Sequence, residues 1–144
     1  MLFRSIDAFF FVNKAGQRQA VRYIIAPEHV VHISEADAAK KPPNFLMEDL
    51  PTRLKAGPVT FHLRAQLAAP GDPTNDATKP WPEDRKVIDL GVITIDRVVA
   101  NSDEAQKQLL FLPGNVTDGI EPSDDPLIDA RDAAYPISFA RRNP

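Results

Sequence analysis

The sequence predicts an α+β chain built on an antiparallel sheet, and three observations carry that expectation. In "DAFFFVNKAGQRQAVRYIIAP", aromatic and β-branched residues flank a turn at Lys14-Ala15-Gly16, the pattern of two strands joined by a hairpin. "VTFHLRAQLAA" alternates Val59, Phe61, Leu63 and Ala65 against Thr60, His62 and Arg64, and "KVIDLGVITIDRVV" reads as a longer strand, bulged or bent at Gly91. The order along the chain is two strands, helical pieces, two strands, two helices. Strands are therefore expected at 7–13, 19–27, 59–69 and 86–99, in one antiparallel sheet. Four such strands leave exposed edges, which invite association. Either helices cover those edges or further strands come from elsewhere.

The remaining elements follow from local signals. "SEADAAKK" opens with an N-cap serine at Ser34 and an acid three positions on, a short helix start. "NFLMEDLPTRLKAG" places Phe45, Leu46, Leu50 and Leu54 near helical spacing and stops at Gly57, and Pro51 is expected to break or kink it. "PGDPTNDATKPWPEDR" is too long and proline-rich for a hairpin and reads as an ordered excursion. "SDEAQKQLLF" is a short helix capped by Ser102 or Asp103, and the stretch from Asp124 to Arg142 is the last helix, with Pro126 near its first turn.

Composition bounds the function. The 144 residues fit one domain with a single core, and the 43% hydrophobic and 26% charged shares are those of an ordinary globular chain. A net charge of −3 gives no attraction for nucleic acid or a membrane surface, and no apolar run is long enough to span a bilayer. Without cysteine there are no disulfides, thiolate metal sites or cysteine catalysis. "MLFRSIDAFFFV" carries Asp7, lacks a small-residue cleavage site and runs into a strand, so it is not expected to be a signal peptide. The compartment stays open between cytoplasm and periplasm. Fourteen prolines against six glycines favour fixed loops over flexible linkers.

Few constellations carry chemistry. His29 and His32 beside Glu28 lack a later ligand at fixed spacing and read as surface residues. The acceptor pattern at Asn115 to Thr117 has no secretion signal behind it. Asp124, Asp125, Asp129 and Asp132 suit the positive N-terminal end of the last helix better than a calcium site. Arg131 and Tyr135 stand apart, because residues four apart share one helix face and the guanidinium can lie against the phenolic oxygen. One reading is an amphipathic helix with a basic end. The other is a tyrosine kept as phenolate, since a nearby cation or a ferric iron favours the ionised form and tyrosinate is a known haem ligand.

Several separated stretches resemble the C-terminal part of the haem catalase family, most of all its small catalase-related peroxidases. The strand pair around Phe-x-x-Asn-x-x-Gly is similar to the family's. So is the stretch with Asp76, Thr78, Lys79, Trp81, Pro82, Leu90 and Gly91. "DGIEPSDDPLIDARDAAYPISFARR" resembles the family's proximal haem segment, with Gly119, Ile120, Glu121 and Ser123 leading into Asp125, Arg131 and Tyr135. The resemblance implies the second half of an antiparallel barrel with peripheral helices and the proximal haem helix, so that residues 1–144 are one partial domain. It implies haem b with ferric iron as cofactor and Tyr135 as its metal ligand. Arg131 would be the arginine bonded to that tyrosine, Asp125 the acid orienting Arg131, and Arg142 a partner of a haem propionate.

The implied activity is an oxidoreductase's: peroxidase- or catalase-type breakdown of hydrogen peroxide with a small reducing substrate, in the response to oxidative stress. Two departures from the larger catalases matter. Ile24 stands where they carry a proximal histidine, and Ile137, Ser138, Ala140 and Arg141 stand where they carry an Asp-Thr-x-x-His run. The family's distal histidine and asparagine, and its first barrel strands, lie upstream of the strand that begins at Asp7. The chain is thus expected to supply the proximal half only, with a missing N-terminal half or a second copy as partner. A non-catalytic haem-binding or interaction module, and an enzyme acting on organic peroxides, remain as alternatives.

Overall fold

A computed structural model describes residues 3–143, and the domain expected over 1–144 extends beyond them by its terminal residues. Six strands form one sheet: β1 (Phe3–Arg4), β2 (Phe9–Val12), β3 (Arg18–Pro27), β4 (Val59–Leu67), β5 (Val87–Ile95) and β6 (Ile120–Pro122). Their order is β5-β4-β3-β2-β6, with β1 also on β3, and every pairing is antiparallel. The four expected strands are present in the one antiparallel sheet. The two short ones, β1 and β6, carry no alternation long enough to read.

β1 and β2 share one edge of β3, Phe3 opposite Ile25 and Phe9 opposite Val21. Between them the chain leaves the ladder for four residues. Ser5 N–H donates to the Tyr23 carbonyl at 2.8 Å and Ser5 Oγ to the Asp7 carbonyl at 2.7 Å. This break turns Asp7 and Ala8 inward, and both are buried. The first expected strand, 7–13, is present as β2, and the buried Asp7 lies at the joint between it and the unexpected β1.

Alternating residues of β3 and β4 serve two faces. One face packs Phe9, Val21 and Ala65 with Phe11, Tyr23, Leu67, Ile88, Val116 and Ile120. The other carries Arg22 and Gln66, closed over by the 70–86 excursion. Trp81 is buried there, its Nε1–H donating to the Pro73 carbonyl at 2.7 Å, while the Arg22 guanidinium carbon lies 4.5 Å from the Trp81 ring centroid. Arg22 also donates to the Lys79 carbonyl and Gln66 to the Pro82 carbonyl, at 2.8 and 2.9 Å. Arg85 grips Asp72 with two bonds of 2.8 and 3.0 Å, which hold the Asp72 carboxyl below the usual carboxylate range. The excursion is ordered, as its prolines suggest. A register shift at Leu63/Arg64 leaves Leu90 unmatched beside Gly91, whose φ is 148°, so the expected bulge is there.

The helices are α1 (Glu35–Ala38), α2 (Phe45–Leu54), α3 (Ser102–Lys107) and α4 (Pro126–Arg142). Ser34 caps α1 as expected, accepting from Asp37 N–H. Of the break or kink expected at Pro51, the break does not occur, and α2 runs on through it. The hydrogen bond it forgoes is one to Met47, and the Thr52 hydroxyl and the Arg53–Asp49 pair brace the turns on either side. The N-cap of α3 is Asn101, not Ser102 or Asp103. Asn101 adopts a left-handed φ of 53°, which asparagine tolerates, and Ser102 Oγ instead accepts from Gln106.

β5 pairs only with β4 among the described residues, and Val87, Leu90, Val92 and Ile93 on it are exposed. The exposed-edge problem anticipated from the sequence therefore stands on this side of the sheet.

Candidate functional site

The candidate site is organised by α4. Asp125 Oδ1 accepts from Leu127 N–H at 2.9 Å and caps the helix, Pro126 occupies the first turn where no N–H is needed, and Asp129 sits against the positive end. Arg141 and Arg142 lie in the last turn, where cations suit the negative end. The helix start is tied to the sheet: β6 pairs with β2, and Ser123 N–H donates to the Ala8 carbonyl at 3.2 Å. Ile128 is buried as its apolar anchor. Asp132 accepts from Gly114 N–H at 3.1 Å, which holds the preceding loop against the helix.

On this scaffold Arg131 Nε–H donates to Tyr135 Oη at 2.7 Å. The contact that the four-residue spacing predicted is made. Arg131 Nη1 reaches the other way, to Asp7 Oδ2 at 2.6 Å, across 124 positions of sequence. The bond to Tyr135, first, and the Asp7 charge raise the Arg131 pKa, so the guanidinium is held charged. Tyr23, the other tyrosine, sits against Phe9 and Phe11 with centroids 5.7 and 6.0 Å away, and burial pushes its pKa up. The two tyrosines are thus chemically distinct.

The resemblance assigned the orientation of Arg131 to Asp125, and the structure shows no direct hydrogen bond between the two among the described residues. Asp125 lies six residues before Arg131, about 9 Å along the helix, and one of its oxygens is committed to the cap. Asp7 makes the contact instead. No local spacing could signal it, and the one sequence hint was an acid at the start of an otherwise apolar strand.

Tyr135 opens onto a cleft of about 510 Å³ between α4 and the segment after α3, lined by Leu109, Leu110, Phe111, Ser138 and Arg142 among others. Arg142 Nη2 donates to the Leu109 carbonyl at 3.1 Å, and Asn143 Nδ2 to the Lys107 carbonyl at 2.8 Å, so the end of α4 is clamped to that segment. Leu109, Leu110 and Phe111 were not singled out in the sequence. They follow a short helix without clear periodicity, and Phe111 is 75% exposed. Ile24 is buried on β3, with no polar group at that position.

Other candidates do not assemble. His29 and His32 are exposed, and no group of three or more metal-binding side chains converges among the described residues. His62 Nδ1 lies 3.5 Å from Asp89 on the partly exposed face of β4 and β5. No helix among the described residues is long and apolar enough to cross a membrane.

Comparison with known proteins matches this architecture. The catalase family model matches residues 3–143. The chain is 35% identical over 141 residues to a catalase-related peroxidase of Mycolicibacterium paratuberculosis, covering 97% of this chain and 45% of that protein. It is 30% identical over 138 residues to one of Synechococcus elongatus, covering 95% and 41%. The chain therefore spans less than half the length of these relatives. A bacterial catalase structure superimposes with a TM-score of 0.81 at 25% identity, over 95% of this chain and 29% of that one. Catalase A from Saccharomyces cerevisiae gives 0.86 at 21% identity, over 99% and 32%, and shares the fold. A family model that matches residues 3–143, over an antiparallel sheet of the same fold as solved catalases, leaves one conclusion: the chain belongs to the catalase family.

Proposed function

We propose that this chain supplies the proximal face of a haem site for peroxide-dependent oxidation, with Tyr135 as the iron's protein ligand. The observation that carries the reading is the 2.7 Å bond from Arg131 Nε to Tyr135 Oη at the mouth of an apolar cleft. The residues present fit haem. Tyr135 offers an oxygen with a cation already against it, and Leu109, Leu110 and Phe111 offer an apolar wall. Arg142 offers a guanidinium at the rim for a propionate. Ferric haem bound there would supply the redox chemistry that cleaves the O–O bond of hydrogen peroxide.

The chain's own residues have narrower tasks. Arg131 stabilises negative charge on Tyr135 Oη through a charge-assisted hydrogen bond. Arg142, held by the Leu109 carbonyl, orients a carboxylate. Asp125 keeps the start of α4 in place as its cap rather than by touching Arg131. A distal half, with groups that move a proton between the peroxide oxygens, would complete the reaction.

The test is complementation. The distal half of a catalase-related peroxidase, produced as a separate chain, is mixed with this chain and haemin, and peroxide consumption is followed. Turnover is expected only with both halves present. Equal turnover from the distal half and haemin alone would contradict the proposal.

A further inference from the structure

The structure assigns to Asp7 a role beyond tethering: we infer that Asp7 is a positioning residue, gripping Arg131 so that its Nε–H stays aimed at Tyr135 Oη. The inference rests on the proposed haem reading only for its purpose. Its geometry stands without haem.

The Asp7 side chain is 4% exposed, and a carboxylate so buried needs a close partner to offset its lost hydration. Arg131 Nη1 is that partner at 2.6 Å. Asp7 Oδ1 has no hydrogen-bond partner among the described residues, so the protein's bonding to this carboxylate is all from Arg131. The guanidinium is planar and rigid, and fixing Nη1 therefore fixes the direction of Nε–H. Without the grip, a long side chain 36% exposed could turn away from Tyr135.

Two further features hold Asp7 itself. The break between β1 and β2 is set by Ser5, whose hydroxyl donates to the Asp7 carbonyl at 2.7 Å. The next residue, Ala8, receives Ser123 N–H at 3.2 Å, which links the break to the start of α4. Asp7 and Arg131 are thus registered through backbone on both sides. Arg22 adds a second positive charge to this buried region. Burial lowers its pKa, and Asp125 and then Asp7 are the leading charges that act against that shift. Asp7 and Asp125 thus face Arg131 and Arg22 in this region, two carboxylates beside two guanidiniums.

A tether between sheet and helix would show in stability alone, whereas a positioning residue must show at Arg131 Nε. The test is nitrogen-15 NMR on the full chain without haem, comparing wild type with Asp7→Asn, which keeps the shape and removes the charge. The Arg131 Nε–H is expected to exchange with solvent about tenfold faster in D7N, the factor for losing a charge-assisted bond, while the backbone amides of α4 keep their protection. Unchanged Nε–H exchange in folded D7N overturns the inference. Should D7N fail to fold, the unmodified chain decides: Arg131 must show two separate, slowly rotating Nη groups, and averaged Nη signals like those of an exposed arginine overturn it.

A second arm separates this inference from the haem reading. With the distal half supplied, D7N is expected to bind haemin about tenfold more weakly, as loss of a supporting residue does. Faster Nε–H exchange with unchanged haemin affinity would uphold the positioning of Arg131 and count against Tyr135 as the ligand. Unchanged exchange with weakened haemin binding would overturn the positioning role and leave the ligand reading standing.

Discussion

Replacing Tyr135 by phenylalanine is expected to abolish the tyrosinate-type haem spectrum of the chain completed by a distal half. The ring is retained, so the helix packing around it changes little. Arg131 loses an acceptor but keeps its 2.6 Å contact with Asp7, so no charge is stranded. The cost in fold stability should not exceed about 1.5 kcal/mol, the worth of one hydrogen bond. The cost in haemin affinity is of another order, more than about a hundredfold, because a metal ligand is removed where loss of a mere supporting group costs ten- to a hundredfold. This separation makes the variant informative. Haemin titration followed by absorption reads the affinity, and thermal unfolding of the apo chain reads the fold. A Tyr135→Phe protein with wild-type spectrum and affinity would reduce Arg131 and Tyr135 to an ordinary helix-surface pair.

The second large effect lies away from the cleft. Trp81→Ala should destabilise the fold by about 3–5 kcal/mol, the usual range for emptying a buried tryptophan site. It should lower the thermal midpoint by more than about 10 °C. The ring fills the space over Arg22 and Gln66, and its Nε1–H anchors Pro73 across the excursion. Removing it uncovers a guanidinium whose bonds to the Lys79 and Asp76 carbonyls depend on the excursion staying in place. Trp81→Phe, which keeps an aromatic face but loses the Pro73 bond, should fall between. Differential scanning calorimetry of the three proteins measures the series. A shift below about 2 °C for W81A would mean that the excursion is dispensable to the sheet.

The parts of this protein that were legible in its sequence are those whose signals are local. The four longer strands show as alternation or as aromatic and β-branched runs. The bulge shows as a glycine inside a strand, and the Arg131–Tyr135 bond shows as a four-residue helical spacing. Each depends on neighbours within one element. β1 and β6 were missed because two or three residues cannot establish a period, and β6 gains its place only by pairing with β2.

Pro51 does not end α2. Its missing N–H removes a single bond in a helix whose side chains brace the gap. Asn101 was passed over for the better-known serine and aspartate caps, and it holds the N-cap position in a left-handed φ without a side-chain cap bond. The site divides along the same line. Tyr135, Arg131 and Arg142 sit together on α4 and were found by spacing and resemblance. Asp7 lies 124 positions from Arg131 and was visible only once the sheet brought it there. Asp125 was given its role by the resemblance, and in the structure its hydrogen bond goes to the helix cap while Arg131 bonds to Asp7.

The central claim is that Tyr135 Oη, steadied by Arg131, holds iron. Resonance Raman spectroscopy tests it most directly, on haemin bound between this chain and a separately produced distal half, with labelled tyrosine in this chain only. The chain has two tyrosines, and Tyr23 is partly buried, packed against Phe9 and Phe11 on the sheet. Any iron-bound phenolate band that shifts with the label must therefore come from Tyr135. The account predicts tyrosinate ring modes, enhanced on excitation into the haem bands, that shift with the label and vanish in Tyr135→Phe. A haem spectrum with no label-sensitive phenolate mode would contradict it.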